Sequence, residues 1–388
     1  MDYGGQINRL GWLDILGSTK NRLITRHQYR ILKYFAGMPF QSQRSKLFAR
    51  MARRLVGGYI YSIKLEINDD CNLHCKMCYV DKKHQNLSKA LIFSLLDQIR
   101  NFGIRLEILG GEPLMRKDIF EIIKYAKTRA RVPFISLYTN GTVITREVAE
   151  GLKAAGLDAI LVTLVSHQAH VHDEFTGSPG SWKKSTEGIR AAQKAGIETY
   201  SFTTVHSYNR KHYKEIYRFV KDELKVHSLF YQYISQQKDD PLMINPGDWH
   251  RIKKWILLDS NIEHMKFVRD FYLLTGNACS GGNFVFTVKA DGSVQPCPFI
   301  YDIPLGNIKQ QSIWEIFRNR FKCHALKEFK SLPEECRPCA YRSVCGGGCK
   351  AGNDKQCKHF NCMDMRCLGP FRQIRNHEDI MADIPTFF

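Results

Sequence analysis

The sequence lacks two features that would place the protein in or across a membrane. No uninterrupted apolar run approaches the roughly 18–20 residues that a membrane-spanning helix needs. The first residues, MDYGGQINRLGW, also lack the basic start and apolar stretch of a secretory signal peptide. With 44% hydrophobic and 24% charged residues, the composition of the 388 residues is that of a globular chain. We therefore expect a cytoplasmic protein with one large domain and a smaller one.

Acidic residues are few relative to basic ones. The chain has 57 Lys and Arg against 38 Asp and Glu, which gives a formal net charge of +19. Residues 1–54 alone carry eleven Lys and Arg against two Asp, a net charge of +9. Amphipathic patterns predict a basic helical N-terminal segment over residues 1–58. Two interpretations stay open for it: a solvated basic face, or a contact with an anionic partner such as a membrane surface.

Nucleic acid is not an expected partner, since no recognised RNA- or DNA-binding motif accompanies the positive charge. A disulfide framework is not expected either. The 13 cysteines are an odd number, and disulfides are rare in the reducing cytosol. Clustered cysteines in cytosolic proteins more often hold metals, so we expect metal centres in this chain.

Hydrophobic patterning predicts an α/β protein in which strands and helices alternate from Tyr59 onward. The six predicted strands are Ile60–Ile67, Arg105–Leu109, Phe134–Tyr138, Ala159–Leu164, Glu198–Val205 and Ser228–Ile234. Alternating βα units form parallel sheets, and this number of units favours a partial (β/α)6 barrel over residues 59–274. Functional residues of such sheets lie on the loops that follow the carboxyl ends of the strands.

Glycine and cysteine become dense after about residue 274, and helical periodicity remains mainly over Ser312–Phe329. Short loop-rich segments rarely build a hydrophobic core unaided. The pattern therefore predicts a C-terminal cysteine-rich domain over residues 275–388 that is organised by metal centres.

The first group of cysteines directly follows the first predicted strand, in the segment DDCNLHCKMCYV. Cys71, Cys75 and Cys78 can converge on one metal centre from a single loop. Three ligands leave one coordination position open, as reactive metal sites require. A structural zinc site with His74 or His84 as its fourth ligand is the alternative.

The second predicted strand ends in the segment LGGEPL. Its paired glycines let a ligand approach the backbone closely. Glu112 offers an acceptor for an ammonium group, and Pro113 fixes the turn. Taken alone, the same segment is also typical of a tight βα turn with a helix-capping glutamate.

Together, the C-x3-C-x2-C spacing and the GGEP segment resemble the radical S-adenosylmethionine (SAM) superfamily. The resemblance implies a 4Fe–4S cluster on the three cysteines, with one iron free to chelate S-adenosylmethionine. It also implies reductive cleavage of that cofactor to methionine and a 5′-deoxyadenosyl radical. The residues that it assigns to cofactor binding are Gly110, Gly111, Glu112, Pro113, Asn140 and Thr163.

Three positions depart from the pattern of the superfamily. Met77 stands where an aromatic residue is usual before the third cysteine. Val165 follows the fourth strand where relatives often have Asp, and Thr176 stands where they often have Arg. These last two departures concern the binding of ribose, carboxylate or substrate rather than the cleavage of the cofactor.

Three histidines occur close together in the segment HQAHVH, at positions 167, 170 and 172. We interpret this segment as a loop. A metal site or proton relay is one hypothesis for the histidines. Exposed surface histidines on a basic protein are the favoured interpretation.

The second group of cysteines contains two single cysteines, a C-x2-C-x5-C-x3-C motif and one last cysteine. Its order and spacing resemble the SPASM domain, which implies two auxiliary 4Fe–4S clusters and three clusters in all. The ligands implied for the first auxiliary cluster are Cys279, Cys297 and Cys349. The ligands implied for the second are Cys336, Cys339, Cys345 and Cys367. A zinc ribbon is the alternative for this domain.

The first auxiliary cluster lacks an evident fourth ligand, because no cysteine lies between Cys78 and Cys279 or between Cys279 and Cys297. An open iron, a non-cysteine ligand, Cys357 or Cys362 are the options that remain. Cys323 stands beside a predicted helix, and we expect it to pack rather than to bind metal.

The resemblance implies an oxidoreductase or maturase that abstracts a hydrogen atom from its substrate. A low-potential electron donor of the flavodoxin or ferredoxin type is the expected redox partner. The resemblance favours a peptide or protein side chain as substrate. The alternative is a small molecule: a tetrapyrrole, a cofactor precursor or a lipid. A non-enzymatic iron–sulfur electron-transfer protein is a further alternative, and the sequence identifies no catalytic acid or base.

Overall fold

The structure is a computed structural model that describes residues 60–235, 237–256, 279–357 and 359–373. The basic helices predicted for residues 1–58 lie outside the described residues. None of the helices within the described ranges is long and apolar enough to cross a membrane.

Six strands alternate with helices in the first part of the structure. The strands are β1 (Ser62–Glu66), β2 (Arg105–Leu109), β3 (Ile135–Thr139), β4 (Ala159–Thr163), β5 (Glu198–Val205) and β6 (His227–Gln232). The helices are α1 (Lys89–Gln98), α2 (Ile119–Thr128), α3 (Arg146–Ala155), α4 (Ala169–Thr176), α5 (Ser181–Lys194), α6 (Tyr213–Arg218) and α7 (Pro246–Lys254). All six predicted strands are confirmed, with ends that differ by two residues at most.

The six strands pair in parallel in their order along the chain. This arrangement confirms the predicted α/β partial barrel. The strands are parallel because each connecting helix returns the chain to the end of the sheet at which the previous strand began. All the loops that leave the carboxyl ends of the strands therefore lie on one side of the molecule.

The two faces of the sheet differ in chemistry. On β1, Ile63 and Leu65 are completely buried in the apolar core under the helices. The opposite, concave face carries Lys64, whose ammonium pairs with Glu107 of β2. Burial alone would raise the pKa of Glu107, but the charge and hydrogen bond of Lys64 outweigh it and lower this pKa. The interior of the barrel is therefore polar.

The C-terminal unit joins the sheet of the barrel directly. Its strands are β7 (Val285–Val288), β8 (Ser293–Gln295) and β9 (Gly306–Asn307). Strand β7 pairs in parallel with β1, and β8 and β9 continue the sheet in antiparallel pairing. The sequence predicts β7 from its apolar FVFTV pattern. The predicted boundary near residue 274 lies in the undescribed segment 257–278.

Within residues 279–357, this unit also contains the short helices α8 (Ile313–Asn319), α9 (His324–Lys330), α10 (Arg342–Cys345) and α11 (Lys350–Cys357). The predicted helical stretch Ser312–Phe329 consists of α8 and α9, separated by a 3-10 turn over Arg320–Lys322. Ser312 caps α8, since its hydroxyl accepts a hydrogen bond from the Glu315 N–H.

Helix α4 corrects the interpretation of the HQAHVH segment as a loop of exposed histidines. His170 is exposed, but His172 is 1% exposed, and its Nδ1 lies 3.3 Å from the Val165 N–H that donates to it. Burial lowers the pKa of His172 to about 4, so this histidine is neutral at pH 7. The interpretation was wrong because an eight-residue helix gives too short a periodic signal.

Asp173 of α4 holds the start of α5. Its carboxylate accepts hydrogen bonds from the Gly180 N–H at 2.6 Å, the Trp182 N–H at 2.7 Å and the Ser181 hydroxyl at 2.9 Å. Carboxylates are favourable at helix N-termini, where backbone N–H groups are otherwise unpaired. Burial would raise the pKa of Asp173, but these hydrogen bonds outweigh it and lower the pKa.

We expect Asp173→Asn to lower the free energy of unfolding by about 1 kcal/mol at pH 7, because it removes the charge and one acceptor. The folded-state pKa of Asp173 lies below its unfolded value of about 3.9. Its stabilising effect is therefore full above pH ~4 and is lost as the pH falls through the folded-state pKa. Urea unfolding of both proteins at several pH values measures this.

The matched control is Asp222→Asn, at an exposed position, which should change the stability much less. Equal unfolding free energies of Asp173→Asn and the wild type at pH 7 would contradict the assigned role.

Candidate cofactor and cluster sites

The loop with the first three cysteines leaves the carboxyl end of β1 and is anchored to α4. The His74 N–H donates to the Thr176 carbonyl at 3.0 Å, and the Lys76 N–H donates to the Phe175 carbonyl at 3.0 Å. Met77 packs against the apolar cluster that contains Phe175. The helix that the sequence does not predict is thus the element that holds the cysteine loop.

The three thiols of this loop lie close enough to interact with one another. Burial first, and then the neighbouring Cys78 and Cys71, together raise the pKa of Cys75 to about 12. The Asn140 amide lies 3.8 Å from Cys71 Sγ. Within the described ranges, no group of three or more His, Cys, Asp and Glu side chains converges tightly on the position of a single metal ion.

The two glycines after β2 pack against the chain that leads into the cysteine loop. A Cβ atom on Gly110 would lie 2.3 Å from Asn68 Oδ1, and one on Gly111 would lie 2.1 Å from the Asp70 carbonyl oxygen. The Gly111 N–H donates to the Asn68 carbonyl at 2.9 Å. The sequence suggests that these glycines make room for a ligand. In the structure, the close approach comes from the protein's own backbone.

Glu112 is completely buried between the ends of β2 and β3. Its carboxylate accepts hydrogen bonds from the Leu114 N–H at 3.0 Å, the Thr139 hydroxyl at 2.7 Å and the Asn140 N–H at 2.8 Å. Burial raises the pKa of Glu112 more than these hydrogen bonds lower it. The carboxylate therefore links the loops after β2 and β3, and the backbone carbonyl of Glu112 accepts a hydrogen bond from the Asn68 amide at 3.0 Å.

The other residues assigned to cofactor binding also lie at the carboxyl ends of the strands, as Glu112 does. Pro113 is buried and begins a 3-10 turn. The Asn140 amide donates to Asn72 Oδ1 at 2.8 Å, next to the cysteine loop. Thr163 ends β4 in register with Phe202 of β5, and it is half-buried.

Two of the residues that differ from the usual superfamily pattern, Val165 and Thr176, are buried near the fourth strand. Val165 is 1% exposed and belongs to the apolar cluster with Phe175. Thr176 is also 1% exposed, and its hydroxyl bonds to the His172 carbonyl at 2.9 Å and to Ser181 Oγ at 2.7 Å. In this chain both positions join α4 to its neighbours.

One cavity in the C-terminal unit is lined by all four cysteines of the second auxiliary set. The cysteines are Cys336, Cys339, Cys345 and Cys367. The other lining side chains are mostly apolar or aromatic, among them Tyr341, Met363 and Phe371. Burial raises the pKa of Cys345 to about 12 and that of Cys336 to about 11. Four thiols around one cavity with mostly apolar walls are a suitable donor set for an iron–sulfur cluster.

The first auxiliary set is a group of three. Cys279, Cys297 and Cys349 interact electrostatically with one another and pack against a single apolar cluster that includes Phe329 and Phe360.

The remaining C-terminal cysteines are arranged differently. Cys323 packs against the same apolar cluster as the first auxiliary set, in agreement with the packing role predicted for it. Cys357 and Cys362, which the sequence leaves open as a fourth ligand, form a disulfide with each other.

Lys289 connects the two cysteine regions. Its ammonium donates to Glu66 at the end of β1 at 2.9 Å, and it also bonds the Pro298 carbonyl in the loop after β8. The ring of Tyr79, which follows the third cysteine of the first loop, contacts Phe299 with ring centroids 4.7 Å apart. The sequence does not predict this connection, because Lys289 and Glu66 are more than two hundred residues apart.

We expect Gly111→Ala to destabilise the protein by about 2–3 kcal/mol, because the added methyl group would overlap the Asp70 backbone. The same change should lower the amount of iron bound by the first cysteine loop. Urea unfolding of the apoprotein and iron analysis after reconstitution measure the two effects.

Gly352→Ala is the matched control. Nothing lies within 4 Å of its added Cβ, and the position is helical, so stability should rise by about 0.5–1 kcal/mol. An unchanged unfolding midpoint in Gly111→Ala would refute the tight packing at this glycine.

Comparison with known proteins places the chain in a family. The model of the radical SAM superfamily matches residues 65–220, which include the first cysteine loop and the glycine turn. The model of the SPASM iron–sulfur cluster-binding domain matches residues 279–340.

Curated relatives and a solved structure agree with this match. The AdoMet-dependent heme synthase of Methanosarcina barkeri is 29% identical over 322 residues, which cover 74% of this chain and 90% of the relative. The Fe-coproporphyrin III synthase of the same organism is 26% identical, over 71% of this chain and 80% of that relative. The structure of Streptococcus suis SuiB bound to precursor peptide SuiA has a TM-score of 0.64 at 15% identity, covering 87% of this chain and 81% of SuiB. At that identity the likeness concerns the fold alone. The chain is a radical SAM enzyme and belongs to the branch of that superfamily with a C-terminal SPASM domain.

Proposed function

We propose that this enzyme abstracts a hydrogen atom from a tetrapyrrole. The observation that carries the proposal is its similarity to two curated relatives named for tetrapyrrole synthesis, over 90% and 80% of their lengths. These relatives favour the small-molecule alternative over the peptide or protein side chain that the sequence first suggests. The likeness to a peptide-bound structure does not outweigh them, because at 15% identity it concerns the fold.

The proposed site of radical formation is the loop with Cys71, Cys75 and Cys78. A 4Fe–4S cluster with bound S-adenosylmethionine supplies a 5′-deoxyadenosyl radical that can remove a hydrogen atom from an unactivated C–H bond. We assign Gly110, Gly111, Glu112, Pro113, Asn140 and Thr163 to the pocket for S-adenosylmethionine.

Within this pocket, the Glu112 carboxylate positions the glycine turn against the cysteine loop. This role is supported by its three hydrogen bonds to the ends of β2 and β3. Backbone groups of the turn are then the proposed partners of the amino group of the cofactor.

Two auxiliary clusters are part of the proposal. We assign one to the four thiols around the C-terminal cavity and the other to Cys279, Cys297 and Cys349. The apolar surroundings of both sets support this, because exclusion of water helps to set cluster potentials. The redox partner that we expect is a low-potential flavodoxin- or ferredoxin-type donor.

The concave face of the barrel provides a surface suited to a flat conjugated macrocycle. Tyr138, Phe202 and Tyr231 are half-buried neighbours on β3, β5 and β6. The Phe202 ring stacks on Tyr231 with centroids 4.4 Å apart and meets Tyr138 edge-on at 5.6 Å. Aromatic rings stack favourably on the plane of a porphyrin.

The first test compares substrate classes in reconstituted enzyme under a low-potential reductant. We expect 5′-deoxyadenosine formation to rise at least about tenfold with iron coproporphyrin III, since a bound substrate completes the site for the radical step. Unrelated peptides should leave the rate at its background value. The Cys71→Ala variant should form no 5′-deoxyadenosine under either condition.

Stimulation by peptides and not by the tetrapyrrole would overturn the proposed substrate while leaving the radical chemistry intact. Protein purified without oxygen that contains zinc and no iron or sulfide would overturn the cluster assignments themselves.

A second test concerns the aromatic face. Phe202→Ala should weaken binding of iron coproporphyrin III about tenfold, because one ring contact contributes about 1–1.5 kcal/mol. Titration of the tetrapyrrole's absorbance band measures this affinity. The matched control is Phe120→Ala on the outer surface of α2, where the ring is 37% exposed. Equal affinities of Phe202→Ala and the wild type would remove the barrel interior as the binding surface.

A further inference from the structure

Lys350, the first residue of α11, is buried in an unusual way. The residue is 3% exposed, yet among the described residues its ammonium has no hydrogen-bond partner. A buried charge without a partner is strongly unfavourable in a folded protein. An anionic group beside Lys350 in the functional protein would satisfy this ammonium.

The groups around the Lys350 ammonium come from both auxiliary cysteine sets. It interacts electrostatically with Cys336 and Cys345 of the second set, and with Cys279 of the first. A Cβ on Gly347 would lie 2.8 Å from Lys350 Nζ, so a glycine leaves the space that the lysine occupies.

The carboxylate of Asp364 also interacts with Lys350, but its own partners already satisfy it. Arg366 donates to both of its oxygens at 2.9 and 2.7 Å, and the Cys349 N–H donates to Oδ2 at 2.8 Å. A second cation at this carboxylate is not needed for charge balance. The cysteines of the two sets, which as cluster ligands would be thiolates, therefore remain as the anionic groups for Lys350.

Two other lysines of the region differ from Lys350 in having close partners. Lys289 pairs with Glu66 at 2.9 Å. Lys330 donates to the Cys279 carbonyl at 3.2 Å, and it interacts with Cys279 and Cys297 of the first set. Lys350 thus differs from both of these lysines, because its neighbours come from both cysteine sets.

We propose that Lys350 is a shared counter-cation of the two auxiliary clusters, with its ammonium between Cys279 of one and Cys336 and Cys345 of the other. The inference rests on the auxiliary clusters of the proposed function. A cluster gains one negative charge on reduction, and a nearby buried cation stabilises the reduced form. Lys350 therefore raises the reduction potentials of both clusters together.

The experiment is a redox titration followed by electron paramagnetic resonance. The background is the full chain with Cys71, Cys75 and Cys78 changed to alanine, so that the auxiliary clusters alone give the signals. In this background, Lys350→Met should make reduction of both clusters less favourable by about tenfold, which is about 59 mV for a one-electron couple. Lys350→Arg, which retains the charge, should return both potentials toward their original values.

Two variants serve as controls. Lys330→Met should shift one potential only, because Lys330 neighbours the first set alone. Lys327→Met, at an exposed position on the same helix, should shift neither.

Unchanged potentials in Lys350→Met, with both clusters present, would overturn the inference and leave the clusters in place. Absence of auxiliary iron from the parent protein would instead overturn the cluster assignments. If Lys350→Met does not retain auxiliary iron, retention by Lys350→Arg supports the role of the charge. Equal loss in both variants would refute it in favour of packing.

Discussion

The buried carboxylate of Glu112 is the interaction on which the arrangement of the site depends. It ties the glycine turn after β2 to the end of β3 through Thr139 and Asn140. The same turn packs against the Asn68–Asp70 backbone with no space for a side chain. Because that backbone leads directly into the cysteine loop, three consecutive strands present their loops in one fixed geometry. Enzymes need such support, since small displacements of reacting groups are costly.

Much of the fold could be predicted from the sequence because parallel barrel strands are continuous, buried and bounded by helices of ordinary length. Helix α4 could not, since it is short and its histidines resemble a polar loop. The strands β8 and β9 have only three and two residues, which is below the length at which alternation is informative. Tertiary contacts decided all three elements.

The candidate site also has parts that the sequence predicts and parts that it does not. The cysteines and the glycine turn are local motifs, so their spacing in the sequence was sufficient to identify them. The roles of Glu112, Lys289 and Lys350 depend on partners from distant parts of the chain. The proposed substrate surface consists of side chains from several strands that meet only in the folded barrel. Similarity to relatives of known chemistry was therefore needed to favour a tetrapyrrole over a peptide.

The parallel pairing of β7 with β1 has a consequence for how electrons move within the protein. Four residue pairs join the two strands, from Ser62 with Val285 to Leu65 with Val288. Swinging the C-terminal unit away from the barrel would break this backbone ladder in the middle of the sheet. The first cysteine loop, which follows β1, and Cys297, which lies beyond β7, are therefore held by one continuous sheet. Electrons passing between groups bound at these two places would cross a gap that the sheet sets, without a hinge motion of the C-terminal unit.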